Sequence, residues 1–176
     1  MLKIPEPFAP KRIRRIWRGT LLGILVGIVS GLGGIIFNFM IKVVSDFFSK
    51  DLVILLAKAN IQGHTILGYP PDRWMMLLIP ALGGLVSGFL VFGFAPEAEG
   101  HGTDAMIDTF HRKKGIVRKQ VPAIKTLASA ITIGSGGSAG KEGPIAQIGS
   151  GFGSIIASAL KLSDNERRIL LLAGAA

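Results

Sequence analysis

Two stretches without a single charged residue, Thr20 to Ile41 and Trp74 to Ala95, set the terms on which this chain can fold. Each is longer than the roughly 20 apolar residues that carry an α-helix across about 30 Å of hydrocarbon. A third, Gly143 to Leu160, is also uncharged but shorter and richer in glycine and serine. Composition agrees: 49% of the 176 residues are hydrophobic, 18% are charged and 24 are glycine. A water-soluble domain carries more charge than that. The reading is an all-α, polytopic integral membrane protein with tilted and broken helices.

The net charge of +9 invites comparison with nucleic-acid-binding proteins. The placement of the charges points elsewhere. Lys11, Arg12, Arg14, Arg15 and Arg18 stand directly before the first apolar span, and Arg112, Lys113, Lys114, Arg118 and Lys119 follow the second. Between the spans, basic residues are sparse and alternate with Asp46, Asp51 and Asp72. This is the positive-inside pattern, with the N-terminus and the 96–121 loop cytoplasmic. No nucleic-acid partner is expected, and the bilayer is. The chain has no cysteine, so disulfides and thiolate metal sites are excluded; no metal or cofactor is expected, nor enzyme activity. The apolar run after the basic start is too long for a signal peptide and remains as a span. The expected location is the plasma membrane of a prokaryote.

The chain divides into a basic cytoplasmic segment, 1–18, and a transmembrane part, 19–176. In the first, Ile13, Ile16 and Trp17 among basic residues suit either a short interfacial helix or a simple positive anchor. Gly19, Gly23, Gly27 and Gly31 repeat every four residues along the first span and are expected to seat a neighbouring helix. Gly84 and Gly88 are expected to do the same in the second. The apolar pattern of the first span continues through Phe48, which predicts a long, tilted helix. Residues 51–73 end in "GYPPDR", an outer turn. Beyond Gly93, short apolar segments are interrupted by Lys125, a glycine cluster and Glu142. Broken helices persist at membrane depth only where they are buried or line a cavity, and their ends bind substrate in transporters.

The glycine cluster, "GSGGSAGKEGP" at 134–144, carries the chemistry. A phosphate-binding loop would need Ser or Thr after Gly140-Lys141, where Glu142 stands. A dinucleotide fingerprint can be traced from Gly134 to Ala139, but it lacks the acidic residue about twenty positions on and the βαβ context. Pro144 instead suits the first turn of a helix running to about Leu160. The first amides of that helix are unpaired and its dipole favours an anion, and glycines let backbone approach closely. Glu142 lies at this end, where its carboxylate can stand where a dissolved anion would. A carboxylate at membrane depth costs roughly 2.5–3.5 kcal/mol, of which the helix end offsets about 0.3–2 kcal/mol. Burial favours protonation, and a protonated side chain leaves the site open. Glu142 is thus a candidate gate and proton acceptor. Pairing with Lys141 is the plainer alternative, but adjacent residues on a helix do not face each other.

"GKEGPIAQIGSGFGS" resembles the G-[KR]-E-G-P segment of the CLC family of chloride channels and chloride/proton antiporters. The likeness continues through Gln147, Ile148, Gly149 and Gly153 to "LLLAGAA", and "GHGTD" at Gly100–Asp104 stands where the family carries G-S-G-I-P. The resemblance implies a homodimer of all-helical subunits, each with its own anion pathway built from two inverted repeats, and chloride and protons as the transported partners. It assigns gating to Glu142, the outer pathway to Gly140, Lys141, Gly143 and Pro144, and the inner anion site to Gly100, His101, Gly102 and Thr103. His101 replaces the family's serine. Two readings stand: an altered selectivity or pH response, since an unperturbed imidazole charges below about pH 6.5, or a ring directed into the vestibule. Thr103-Asp104 replaces Ile-Pro, with Asp104 expected as a helix cap.

Family members run to more than twice this length, and the second repeat is not found in these residues. The resemblance therefore implies a partial CLC-type fold and the N-terminal portion of a longer transporter. The alternative is a truncated membrane protein without transport of its own, acting through helix association or not at all.

Overall fold

The computed structural model describes the backbone of residues 10–48 and 71–176, and the side chains of residues 17–48 and 77–176. The outer turn expected near 51–73 falls mostly outside the described residues, as do the side chains of the basic stretch before Trp17. Six α-helices follow in order: α1, Pro10–Asp46; α2, Pro71–Phe94; α3, Thr103–His111; α4, Gln120–Gly134; α5, Glu142–Ala159; and α6, Asp164–Ala175. A single 3₁₀ turn, Pro96–Ala98, joins α2 to the loop before α3. Every regular element among the described residues is helical, as the uncharged windows require.

Helix α1 opens at Pro10, where the missing N–H costs nothing, and continues without a break through Arg18 into the apolar run. No separate interfacial helix forms before Gly19. Two stretches are long and apolar enough to cross a membrane, Trp17–Asp46 and Leu77–Phe94. At 1.5 Å per residue the first extends roughly 45 Å, longer than the hydrocarbon thickness, so it must tilt to fit. Helix α2 carries Pro80 in its interior, where the missing N–H leaves one ladder hydrogen bond unmade.

Helix α5 is the centre of the bundle and packs against α1, α3, α4 and α6. Its small residues allow this. A methyl group at Gly149 would collide with the Gly174 carbonyl of α6, one at Gly153 with the Leu170 carbonyl, and one at Gly151 with the Pro122 ring of α4. Apolar side chains fill the remaining space. Phe37 of α1, Ala130 of α4 and Ile148 of α5 form one buried cluster; Val26, Ala157, Leu162 and Leu170 form another where α1, α5 and α6 meet. Helix α6 begins with a capping box: the Ser163 hydroxyl accepts from the Glu166 amide, and the Glu166 carboxylate accepts from the Ser163 amide.

The glycine repeat of α1 does not pack as expected. No atom of the described residues lies within 4 Å of a methyl group built on Gly19, Gly23, Gly27 or Gly31. Packing runs instead through Leu22, Val26, Gly33 and Phe37. Residues four apart share a helix face, but which face is covered is set by the helices that pack on it, and α5 and α6 pack on the Leu22–Val26–Phe37 side. Gly84 and Gly88 are likewise open, and it is Gly83 that abuts α4, at Ser135.

These contacts separate two kinds of glycine. Gly149→Ala is expected to lower stability by about 1–3 kcal/mol through overpacking. Gly27→Ala is expected to be neutral or stabilising by up to about 1 kcal/mol through helix propensity. Thermal unfolding in detergent, followed by circular dichroism, ranks the two variants against the parent.

Candidate functional site

The loop from Glu97 to Gly102 turns twice through left-handed backbone, at Gly100 (φ +72°) and Gly102 (φ +94°), before α3 begins. Those conformations suit glycine, which has no Cβ to clash. Gly102 is the N-cap residue of α3, and no side chain caps the helix. Asp104, expected as the cap, lies in the first turn instead. It contributes charge to the positive helix end but makes no capping hydrogen bond. Gly102 adopts a conformation closed to aspartate's usual cap geometry and so takes the position.

On the other side, the glycine loop delivers the chain to α5, which starts at Glu142 after Lys141. Pro144 sits in the first turn, as its missing N–H allows. The two helix starts then meet. A methyl group on Gly102 would come within 2.8 Å of Gln147 Oε1 and 2.9 Å of the Gly143 carbonyl oxygen. One on Gly143 would collide with the His101 carbonyl and lie 3.1 Å from His101 Nδ1. The structure thus brings His101 and Gly102 against Gly143; a methyl group on Gly100 would meet no atom within 4 Å, and Thr103 and Pro144 flank the contact as the next residues along their helices. Gly140 and Lys141 are exposed on the rim, with no atom within 4 Å of a methyl group on Gly140. The His101 ring lies against the first turn of α5 and is exposed.

Glu142, the first residue of α5, is exposed, and among the described residues no hydrogen bond or ion pair holds its carboxylate. The pairing with Lys141 does not form. The spacing of adjacent helical residues, about 100° apart, prevents it.

Two buried polar side chains at this junction, Lys125 and Gln147, were given no role from the sequence. Lys125 of α4 is buried, with 3% of its surface exposed, and its ammonium donates to the Ala98 carbonyl at 2.9 Å and the Gly100 carbonyl at 2.6 Å. Gln147 of α5, 4% exposed, donates from Nε2 to the Glu97 carbonyl at 2.8 Å. A charge within an apolar helix was the available signal for Lys125. Gln147 gave none beyond its place in the motif.

Further out, Arg118 grips the Glu97 carboxylate through both oxygens, at 3.1 and 3.2 Å, and also donates to Gln120 Oε1 at 2.7 Å. A hydrogen bond from its own backbone amide holds the Glu97 carboxyl below the usual carboxylate range; partial burial opposes this, and Arg118 adds to the lowering. A cavity of about 330 Å³ lies beside this clamp, bounded by Glu97, Asp108, Thr109, Arg118 and Gln147.

A bundle of apolar helices whose broken segments bring two helix N-termini together is the architecture of a helical membrane protein. Residues 83–176 match the family described as voltage gated chloride channel, and the chain belongs to that family. It is 30% identical over 153 residues to the H(+)/Cl(−) exchange transporter ClcA of Yersinia pestis, covering 87% of this chain and 30% of that protein. It is 31% identical over 156 residues to ClcA of Vibrio vulnificus, covering 88% and 31%. It is also 30% identical over 155 residues to chloride channel protein CLC-e of Arabidopsis thaliana, covering 86% and 20%. The chain therefore spans less than a third of the length of these relatives.

The Glu97–Arg118 clamp has a defined pH signature. Because the folded Glu97 carboxyl is lowered, its stabilisation is fully present above the unfolded carboxyl pKa of about 4.3 and is lost as pH falls through the folded value. Arg118→Met is expected to lower stability by no more than about 1 kcal/mol at pH 7, as for an exposed pair. That difference is expected to shrink below about pH 4, where parent and variant both lose the ion pair. Unfolding midpoints measured against pH for the two proteins check it.

Proposed function

We propose that this chain supplies the first part of a CLC-type transporter, moving chloride or a similar anion through a membrane pathway gated by Glu142. The observation that carries the proposal is the contact of the α3 and α5 starts at Gly102 and Gly143, with an unpaired carboxylate at the first residue of α5. Both helices direct their positive ends and unpaired amides into one place, which favours negative charge. Gly100, His101, Gly102 and Thr103 form the inner side of this anion site, and Gly140, Lys141, Gly143 and Pro144 the outer side.

The chemistry follows from competition for one position. With Glu142 ionised, its carboxylate is the anion at the end of α5 and excludes another. Protonation removes that attraction and the side chain withdraws, admitting chloride. The same proton can travel with Glu142, which couples anion movement to protons. The relatives named as H(+)/Cl(−) exchange transporters support chloride and protons as the transported pair. Residues 1–18 would lie on the cytoplasmic side and 19–176 in the membrane, which the two long apolar helices support. The complete protein would act as a homodimer in a prokaryotic plasma membrane, without enzyme activity.

A second reading, helix association without transport, is favoured by Gly19, Gly23, Gly27 and Gly31, on none of which any described side chain packs. Chloride efflux from liposomes carrying the complete protein of which this chain is the first part separates the two. Under the transport reading, efflux occurs and varies with pH between about 4 and 7, while Glu142→Gln, which mimics the protonated side chain, flattens that dependence. Efflux whose pH profile is the same in both proteins would overturn the gate; no efflux at all would favour association.

A further inference from the structure

Three basic stretches that lie far apart in the sequence meet at one level of the fold. Arg18 is the second residue of the first apolar stretch, Trp17–Asp46, and its guanidinium lies 3.9 Å from the Glu166 carboxylate near the start of α6. Lys114, in the loop after α3, lies 3.8 Å from Asp164, the first residue of α6. Arg118 of the same loop reaches the carbonyl of Phe94, the last residue of α2, at 3.5 Å. The loop and the start of α6 therefore lie where both long helices leave the hydrocarbon, at the depth of lipid head groups. Ser154 of α5 pins the loop there, since its hydroxyl donates to Gly115 O and accepts from the Val117 amide.

The carboxylates of this region are already faced by cations: Asp108 by Arg112 and Lys113, and Asp164 by Lys114 and Arg167. Positive charge is left over. Lys119, Lys161 and Arg168 face no acid among the described residues. The Arg168 guanidinium is fixed 5.7 Å from the centroid of the Phe110 ring, with Nε buried and without an acceptor, while its terminal nitrogens stay uncovered. Its backbone amide would lie 3.3 Å from a methyl group on Gly115, the neighbour of Lys114. The backbone gives a second, independent sign. Among the described residues, the only non-glycine residues with positive φ are Lys114 (φ +53°) and Lys161 (φ +50°). Lys161 takes the left-handed position of the turn closing α5, with its amide on Ser158 O and the Leu162 amide on Ala157 O. Glycine is the usual residue there, because a Cβ is disfavoured. This chain uses glycine 24 times, yet places lysine at both turns.

We propose that this surface, carried by Lys114, Lys161 and Arg168, docks the phosphate groups of anionic phospholipids. An arginine fork matches the oxygens of a phosphate, and the lysines add positive charge that a leaflet rich in anionic lipid complements. The depth set by Arg18 and Phe94 favours a lipid over a dissolved phosphate. So do Ile116 and Leu160, exposed apolar side chains in the same two loops, which suit a membrane interface and offer nothing to a free ion. The proposal rests on the two long helices as membrane spans and not on anion transport, so a protein that moves no chloride would still show it.

The complete protein, freed of lipid in a neutral detergent, is titrated with phosphatidylglycerol or phosphatidylcholine, and native mass spectrometry counts the lipid bound. Phosphatidylglycerol is expected to bind the parent roughly tenfold more tightly, and Arg168→Gln and Lys161→Gly are each expected to weaken it about fivefold, the scale of one cation at an anionic surface. Phosphatidylcholine binding is expected to stay as in the parent. Lys161→Gly separates docking from a purely structural role, because glycine suits the left-handed turn. Its unfolding midpoint is expected to equal or exceed the parent's while lipid binding falls. A lysine that serves only the end of α5 predicts the reverse, a lower midpoint with unchanged binding. Equal binding of the two lipids, or unchanged phosphatidylglycerol binding in Lys161→Gly, overturns the proposal. So does displacement of phosphatidylglycerol by an equal concentration of inorganic pyrophosphate, which would assign the surface to a dissolved phosphate. If Arg168→Gln does not fold, Lys161→Gly decides alone.

Discussion

Gly102 and Gly143 meet with no room for a side chain on either, and much of the molecule is arranged to keep them together. The contact joins the start of a short helix, α3, to the start of the central helix, α5. Each helix end carries unpaired amides that would be costly in an apolar setting. Bringing two such ends to one point concentrates the cost and favours negative charge there. The surrounding packing makes that arrangement rigid: Gly149 and Gly153 let α6 press close behind α5, Gly151 admits Pro122 of α4, and Ile148 with Phe37 of α1 closes the remaining side.

The buried polar groups serve this junction more than they serve stability. A lysine in an apolar helix ordinarily calls for a carboxylate partner, yet Lys125 is satisfied by two backbone carbonyls of the loop. Its positive charge therefore remains uncompensated close to the helix starts. Opposed to it, Glu142 stands at the mouth with no partner among the described residues. Under the proposed function, Lys125 is the fixed cation behind the loop and Glu142 the movable anion at its mouth. Outside that zone the ordinary rules of exposed ion pairs apply, as with Arg118 and Glu97.

Much of this was legible along the chain, and the misses have physical causes. The two apolar windows predicted α1 and α2, and Pro144 placed the start of α5 within two residues. Those features depend on hydrophobicity and local backbone geometry, which a sequence displays directly. The glycine repeat of α1 offered a face but not its partner: among the described residues nothing packs on it, and spacing alone does not say which helix will. Asp104 misled because a good capping residue near a helix start was taken as the cap, although Gly102 occupies that position with a conformation aspartate seldom adopts. Gln147 was read as part of a motif with no task of its own, since the carbonyl it holds lies 50 residues away.

By itself, then, the sequence determined the class of environment, the helical content, the sidedness suggested by its basic clusters and the position of a lone glutamate at a helix start. These follow from transfer energies and from backbone preferences that act over a few residues. Only the tertiary structure decided which glycines are contacts and which are open, how two loops 40 residues apart come to share one site, and which way the peptides of the inner loop point. Peptide orientation has no local preference in a glycine-rich segment. Here the carbonyls of Ala98 and Gly100 are held by Lys125, which reaches the loop only once α4 has packed beside it.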